Sequence, residues 1–311
     1  MLVLNRFKSS IDFEKYLKHM FSETKVNQTM KSAETNNASL GRMMCLSALI
    51  EAKVFYTSPS QINQRTLKVI VGCLVELYTK YDFLQESISA VFSKLLTILK
   101  EQKQYGLQAL EIIVDALIVN KGSKGEKEPE KSGSFDFRAN ILNDSNRLSL
   151  YLRMKEVYHS SYSGLSKEYE EIFAYKVLAD KKNLKLIQNL ISRQTFLYPR
   201  IHSSLPLLLN EIANEPKSSD QIKISQSFFK SIIEAHLFND DVYQAMKSSG
   251  KFKFLYIGLN YWKLAVESIQ KWDVKLKARE QLLDSIVGPN FLRVLVKNVS
   301  NTKNQLHESA T

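Results

Sequence analysis

Apolar side chains recur with the period of an α-helix along nearly the whole chain, and this regularity limits the possible folds most. The spacing i, i+3, i+4, i+7 is clearest in segments 67–78, 88–99, 110–117 and 255–269. Such spacing places the apolar side chains on one face of a helix. No segment shows the strict alternation of a half-buried strand. We therefore predict an all-α fold, with stacked antiparallel helices and no sheet between residues 40 and 300.

The helices are expected to form pairs along the chain. One predicted helix starts near Leu40 and its partner near Ile62, and the next two start near Leu84 and Tyr105. Each pair then spans roughly forty to forty-five residues, which is the length of HEAT and armadillo repeats. The pattern favours an α-solenoid of HEAT/armadillo-like helix pairs. A compact helical bundle is the alternative.

Composition along the chain indicates five segments. Residues 121–134 contain no apolar side chain and are rich in Lys, Glu, Gly and Ser, which is typical of a disordered surface loop. The tail is polar and is expected to fray. The predicted organisation is a helical or poorly ordered segment and linker at 1–39, a first helical block at 40–120, a disordered loop at 121–136, a second helical block at 137–300 and a frayed tail at 301–311.

The charge of the chain favours a negatively charged partner. The sequence holds 43 Lys and Arg against 32 Asp and Glu, which gives a formal net charge of +11. A charge of this sign and size attracts nucleic acid or another polyanion. The only two cysteines, Cys45 and Cys73, lie on apolar helical faces, and no Cys-x-x-Cys pair suggests zinc. No segment has the length and apolarity of a membrane span, so we expect no membrane partner.

Two basic stretches, residues 181–210 and 242–266, contain no Asp or Glu. If their side chains line one edge of a solenoid, they would contact phosphate groups without reading base sequence. For any single lysine, a solvated helix surface is the alternative. The candidate nucleic-acid contacts are Lys181, Lys182, Lys185, Arg193, Lys247, Lys251 and Lys253. Trp262 lies on an apolar helical face, so we predict that it packs in the core and does not stack on bases.

No catalytic constellation is apparent in the sequence. The five histidines are scattered and none has a second His four residues away. The chain contains no phosphate-binding loop, dinucleotide-binding turn or nucleophile elbow. We therefore predict that the protein is not an enzyme and needs no cofactor, metal or small-molecule substrate.

Three segments in order resemble the N-terminal helical region of the DNA polymerase phi family, also called the Myb-binding protein 1A family. Segment 40–55 reads Leu-Gly-Arg-Met-Met-Cys-Leu-Ser-Ala-Leu-Ile-Glu-Ala-Lys-Val-Phe and is similar to a Gly-Arg helix of the family that ends in an apolar Ala-Leu-Ile run. Segment 67–80 followed by Phe-Leu-Gln-Glu-Ser at 83–87 is similar to a second family block. Residues 228–238 and 253–259 resemble a third. The resemblance covers roughly residues 40–269.

The resemblance implies a nuclear, nucleolar α-solenoid that is tied to rRNA gene transcription and ribosome biogenesis. Its implied partners are DNA or chromatin together with transcription or ribosome-assembly proteins. Members of the family are longer and carry an acidic low-complexity segment and a basic tail that this sequence lacks. Functions of those parts do not transfer to this chain.

Two other functions remain open at the level of the sequence. The first is a cytoplasmic HEAT/armadillo-type protein–protein adaptor, which an exposed apolar groove would favour. The second is an enzyme, which a deep pocket holding carboxyl groups of shifted pKa would favour. Basic side chains clustered on one face would favour nucleic-acid binding. The sequence does not distinguish DNA from RNA.

Overall fold

The fold is known from a computed structural model of the chain. It describes residues 15–16, 19, 32–58, 61–100, 106–119, 141–142, 144–161, 167–179, 181–197, 201–214, 219–239, 248–272 and 275–303. The predicted loop at 121–136 and residues 304–311 of the predicted tail lie outside these residues, as do most of the residues before Ser32.

Twelve α-helices account for most of the described residues, so the predicted all-α class is confirmed. They are α1 (Ser32–Glu51), α2 (Gln64–Lys80), α3 (Gln85–Lys100), α4 (Gly106–Val114), α5 (Ser145–Ser161), α6 (Lys167–Ala174), α7 (Lys181–Leu197), α8 (Ser204–Asn214), α9 (Ser219–Phe229), α10 (Ser248–Lys271), α11 (Leu276–Asp284) and α12 (Pro289–Val299). Wider π-helical segments continue two of them, at Asp115–Val119 after α4 and at Lys230–Leu237 after α9.

A short β-hairpin follows α1, so the prediction that residues 40–300 contain no sheet is wrong at this point. Strand β1 (Tyr56–Ser58) pairs antiparallel with β2 (Gln61–Ile62), and Tyr56 lies opposite Ile62. Lys53, just before β1, adopts a left-handed backbone conformation with φ of 52°, which ends the preceding helix. Strands this short give no periodic signal in the sequence, and the hairpin owes its stability to the helices around it.

The helix expected near Leu40 begins earlier than the sequence indicated. Helix α1 starts at Ser32, whereas residues 1–39 were expected to end in a linker before a helix near Leu40. Ser39 is buried and its hydroxyl donates to the Thr35 carbonyl oxygen at 2.9 Å. Because this polar side chain bonds its own helix, it does not interrupt the turn in which it lies.

The described chain divides into two compact units. The first contains residues 1–141 and 153–174, and the second contains residues 142–152 and 175–311. In the first unit α1 contacts α2 and α3, α2 contacts α3 and α4, and α3 contacts α4. Consecutive helices and helices two apart are therefore neighbours. The predicted apolar faces of α2, α3 and α4 form its core, with Leu67, Ile88 and Ile113 fully buried.

Helix α10 is the centre of the second unit. It contacts α7, α8, α11 and the π-helical segment Lys230–Leu237. Because helices surround it on several sides, α10 carries apolar residues around most of its circumference. Its most buried residues include Phe254, Tyr261, Ala265 and Ile269. The face predicted from the sequence consists of Leu255, Leu259, Trp262, Val266 and Ile269. Leu259 and Ile269 are buried, and the other three are half-buried.

Glu234 caps helix α12 from a distant part of the chain. Its carboxylate accepts hydrogen bonds from the backbone N–H groups of Asn290 at 2.6 Å and Phe291 at 3.1 Å. The first N–H groups of a helix have no partner within the helix, and a carboxylate there also interacts favourably with the helix dipole. A Cβ at Gly288 would overlap the Glu234 carboxyl group, so glycine leaves room for the contact.

We expect Glu234→Ala to lower the free energy of unfolding by about 1–2 kcal/mol, the usual loss on removing a helix cap. The change also leaves two backbone donors without their acceptor. Urea unfolding followed by circular dichroism measures the difference. Glu280→Ala, at an exposed acid on α11, is the matched control and should change stability by less than about 0.5 kcal/mol. Equal effects of the two changes would contradict the capping role.

Candidate functional site

Helix α7 presents two of the candidate lysines on one exposed row. Lys182 and Lys185 are exposed, together with Leu186 and Asn189. Leu184 and Ile187 on the same helix are buried within the second unit. Residues three and four apart lie on the same side of a helix, so the two lysine side chains leave one face of α7. Exposed ammonium groups held in this way can contact successive phosphates or stay hydrated.

Helix α10 carries two further candidates, but they do not share a face. Lys251 and Lys253 are both half-buried. Residues two apart on a helix point to different sides. Lys253 lies on the side of α10 that also holds the exposed residues Tyr256 and Lys263. Lys251 therefore lies apart from this side of α10.

An aromatic pair lies on the outer face of α10, which is the side that carries Lys253, Tyr256 and Lys263. The rings of Phe252 and Tyr256 are stacked, with centroids 6.3 Å apart and an interplanar angle of 17°. Tyr256 is 37% exposed, which distinguishes it from the buried aromatic residues of the same helix. Asn260 continues this face and donates to the Tyr256 carbonyl oxygen at 2.7 Å. The face thus joins lysine ammonium groups to an exposed ring.

Three candidates cannot be placed in this way. Lys247 lies outside the described residues, and only the backbone of Lys181 and Arg193 is described, within α7. Helices α7 and α10 contact each other in the second unit. The structure therefore brings the helices that hold both basic stretches together, and it describes the side chains of Lys182, Lys185, Lys251 and Lys253.

A polar groove in the first unit was not predicted from the sequence. Its volume is about 490 Å³, and helices α2, α4 and α6 supply its walls. Helix α2 contributes Gln64, Lys68 and Gly72, which are spaced four residues apart. Gln64 donates from Nε2 to Oε1 of Gln108 across the groove. A Cβ at Gly72 would meet nothing within 4 Å, so this part of the groove is open.

Two carboxyl groups line the same groove. Glu111 and Asp115 lie four residues apart, at the junction of α4 with its π-helical segment. Burial raises the pKa of Glu111, and the negative charge of Asp115 raises it further. Tyr169 on α6 donates from its hydroxyl to Asp115 Oδ1 at 2.8 Å. The pair can hold a proton or accept a basic side chain. The i, i+4 acids were visible in the sequence, but only the fold shows that they face a groove.

Neither cysteine forms a disulfide, and both are half-buried. Burial raises the pKa of Cys45. Burial raises the pKa of Cys73 to about 11, with Glu76 adding to the shift and Arg42 opposing it. Both thiols are therefore protonated at neutral pH.

The part of the chain that the structure describes offers neither a cluster of metal ligands nor a membrane-spanning helix. No group of three or more His, Cys, Asp or Glu side chains is arranged there to hold a metal ion. None of the described helices combines the length and apolarity that crossing a lipid bilayer requires.

The fold and its surfaces define a basic, all-helical protein with exposed lysine-bearing helix faces and a polar interhelical groove. The family model of DNA polymerase phi matches residues 1–311. The chain therefore belongs to the DNA polymerase phi family, as its sequence motifs indicated. No similar protein was found among curated sequences, and no similar fold among solved structures.

Proposed function

We propose that this protein is a nucleolar helical-repeat scaffold that binds ribosomal DNA or chromatin and supports rRNA gene transcription and ribosome biogenesis. In this proposal it acts by binding and not by catalysis, and it has no cofactor. Its further partners are proteins of transcription or ribosome assembly. The observation that carries the proposal is the exposed lysine row of α7, Lys182 and Lys185, in a member of the DNA polymerase phi family.

The charge pattern supports binding to a phosphate backbone. The row on α7 lies on a helix that contacts α10, and α10 adds Lys253 and Lys263 on its outer face. Residues 181–210 and 242–266 contain no Asp or Glu, and the one acid of α10, Glu267, lies four residues after Lys263. Contacts of this kind follow the phosphates and carry little sequence information.

A solenoid arrangement is part of the proposal. In the first unit each of α1 to α3 contacts the next helix, and α1 and α2 also contact the helix two further on. Stacked helix pairs produce this pattern, because first helices stack on first helices and second helices on second ones. A solenoid would give the basic helices an extended surface for a long polyanion.

Reversing the charge of Lys182, Lys185, Lys253 and Lys263 to Glu should weaken binding to duplex DNA about tenfold or more at low salt. The plot of log affinity against log salt concentration should also become less steep by about 0.9 for each lysine that contacts a phosphate. Fluorescence anisotropy with a labelled DNA duplex at several salt concentrations measures both quantities. Circular dichroism should show unchanged helix content, because the α7 lysines and Lys263 are exposed.

The matched control reverses four exposed lysines elsewhere and therefore changes the net charge equally. These are Lys80, Lys100, Lys277 and Lys303. If this control weakens binding as much as the test variant, net charge alone attracts DNA and the proposed surface is wrong. Binding that is insensitive to salt and to both variants would remove nucleic acid from the proposal. Repeating the titration with structured RNA distinguishes the two polymers.

The groove of the first unit is polar and is not the apolar groove expected of an adaptor, but as an open cleft between helices it favours a second candidate, a cytoplasmic HEAT/armadillo-type adaptor. A volume of about 490 Å³ with both apolar and charged walls suits a peptide segment that carries a basic side chain. A photoreactive residue at position 72, where the groove is open, would crosslink such a partner in cells. Imaging of the tagged protein separates the candidates, because the scaffold should concentrate in nucleoli and the adaptor in the cytoplasm.

A further inference from the structure

Helix α12 exposes an apolar stripe that its own unit does not cover. Leu292 is 45% exposed, Val296 is 65% exposed and Val299 is 39% exposed. Their spacing of i, i+4 and i+7 aligns them along one side of the helix. Leu295 borders the stripe and is half-buried. Single exposed aliphatic residues are common on protein surfaces, whereas an aligned set on one helix indicates an interaction surface.

The other side of α12 is already packed. Phe291 and Val294 are buried, and the helix contacts the π-helical segment Lys230–Leu237. Glu234 of that segment holds the first turn of α12 in place. The stripe is therefore attached to a fixed helix, and covering it requires no rearrangement of the packed side. A helix that is apolar on two sides is typical of one enclosed between two neighbours.

Basic residues border the exposed stripe. Arg293 and Lys297 are both exposed and lie four residues apart, along the edge of the helix next to Val296. Between Ser285 and Lys303 the sequence holds three basic residues and no Asp or Glu. In a helix pair, charged residues that flank the apolar contact select a partner of opposite charge. The edge of this stripe therefore favours acidic residues on whatever covers it.

We propose that the outer face of α12 binds an acidic amphipathic helix of a partner protein. The partner helix would place aliphatic side chains at i, i+3 or i+4, and i+7 against Leu292, Val296 and Val299. Its Glu or Asp residues would lie beside Arg293 and Lys297. A nucleic acid could use the two cations but not the aliphatic stripe. This surface lies on α12, whereas the candidate lysines lie on α7 and α10, and the proposal does not depend on nucleic-acid binding.

The test uses the whole chain and a synthetic probe. The probe is a fluorescent three-heptad peptide with Leu at the two core positions of each heptad, Glu at the flanking positions and Gln elsewhere. A second peptide has Lys in place of each Glu. In fluorescence anisotropy the Glu peptide should bind, and the Lys peptide should bind about tenfold more weakly. Val296→Glu should weaken binding of the Glu peptide about tenfold, because it places a carboxylate in the centre of the stripe.

Charge exchange gives the sharper result. In the double variant Arg293→Glu with Lys297→Glu, the preference should reverse and the Lys peptide should bind better than the Glu peptide. Loss of folding cannot produce such a reversal. Phe83→Glu is the matched control, since Phe83 is 48% exposed in the first unit and its replacement should leave binding unchanged.

Two results would overturn the proposal. The first is equal binding of the Glu and Lys peptides by the unmodified chain, unaffected by Val296→Glu. The second is a dimer of the unmodified chain, seen by analytical ultracentrifugation, that Val296→Glu converts to a monomer. A second copy of the chain would then be the occupant of the stripe.

Discussion

Replacing Trp262 with alanine is expected to lower the free energy of unfolding by about 3–5 kcal/mol. Trp262 lies on α10, and its ring stacks on Phe291 of α12 with centroids 4.3 Å apart and an interplanar angle of 15°. Its Nε1 donates to the Ile286 carbonyl oxygen at 2.9 Å, between α11 and α12. Alanine would remove the ring, leave a cavity beside Phe291 and leave a carbonyl group without its donor.

Two further variants separate these contributions. Trp262→Phe keeps an aromatic ring against Phe291 but removes the hydrogen bond to Ile286, so it should cost less than the alanine change. Lys263→Ala, at the exposed neighbour of Trp262, should alter stability by less than about 0.5 kcal/mol. Urea unfolding followed by circular dichroism measures all three. A Trp262→Ala protein of normal stability that no longer binds its partner would identify Trp262 as a recognition residue.

The helical period of apolar residues predicted most of the buried helix faces. The residues predicted to face the core in segments 67–78, 88–99 and 110–117 are almost all buried, because each of these helices packs mainly on one side. Two helix starts are also marked locally by proline, since α12 begins at Pro289 and α8 begins two residues before Pro206. Proline is favoured at the start of a helix and excluded from its interior, so this signal is local in origin.

Features that depend on contacts distant in sequence were not predicted. The face chosen for α10 was only partly correct, because this helix is surrounded and its sequence carries more than one apolar side. The cap of α12 by Glu234 joins residues 56 positions apart. The hairpin after α1 is too short to show a period. In each case the local pattern is compatible with several arrangements, and tertiary packing selects one.

In the candidate site, too, features set by local spacing were predictable and features that depend on distant contacts were not. Lys182 and Lys185 share an exposed row, because their spacing of three residues on one helix determines it. Lys251 and Lys253 lie on different sides of α10, because their spacing is two residues. The groove with Glu111 depends on three helices, and no single segment indicates it.

Stability should fall as the pH is lowered from about 6.5 to about 4, and His236 should account for up to about 3 kcal/mol of the loss. His236 lies near the end of the π-helical segment Lys230–Leu237. Its ring meets the ring of Phe254 edge to face, with centroids 5.4 Å apart. Burial lowers the pKa of His236 from 6.5 to about 4, because the charged imidazolium loses hydration there.

The direction of the effect follows from where the proton binds. Above pH 6.5 His236 is neutral in both the folded and the unfolded chain, so its contribution to stability is complete. Between pH 6.5 and 4 the unfolded chain binds the proton and the folded chain does not, which favours unfolding increasingly. Below pH 4 both forms are protonated and His236 causes no further change. At pH 5 the loss should be about 2 kcal/mol.

Urea unfolding at pH 7 and at pH 5 tests this by comparing the unmodified chain with His236→Gln. Glutamine is polar, of similar size and does not titrate, so the variant should lose less stability between the two pH values than the unmodified chain, by about 2 kcal/mol. Comparing pH differences cancels the cost of the substitution itself and the contribution of every carboxyl group. His159→Gln, at an exposed histidine, is the matched control for exchanging a histidine for glutamine. Equal pH dependence in all three proteins would show that the pKa of His236 is the same in the folded and the unfolded chain.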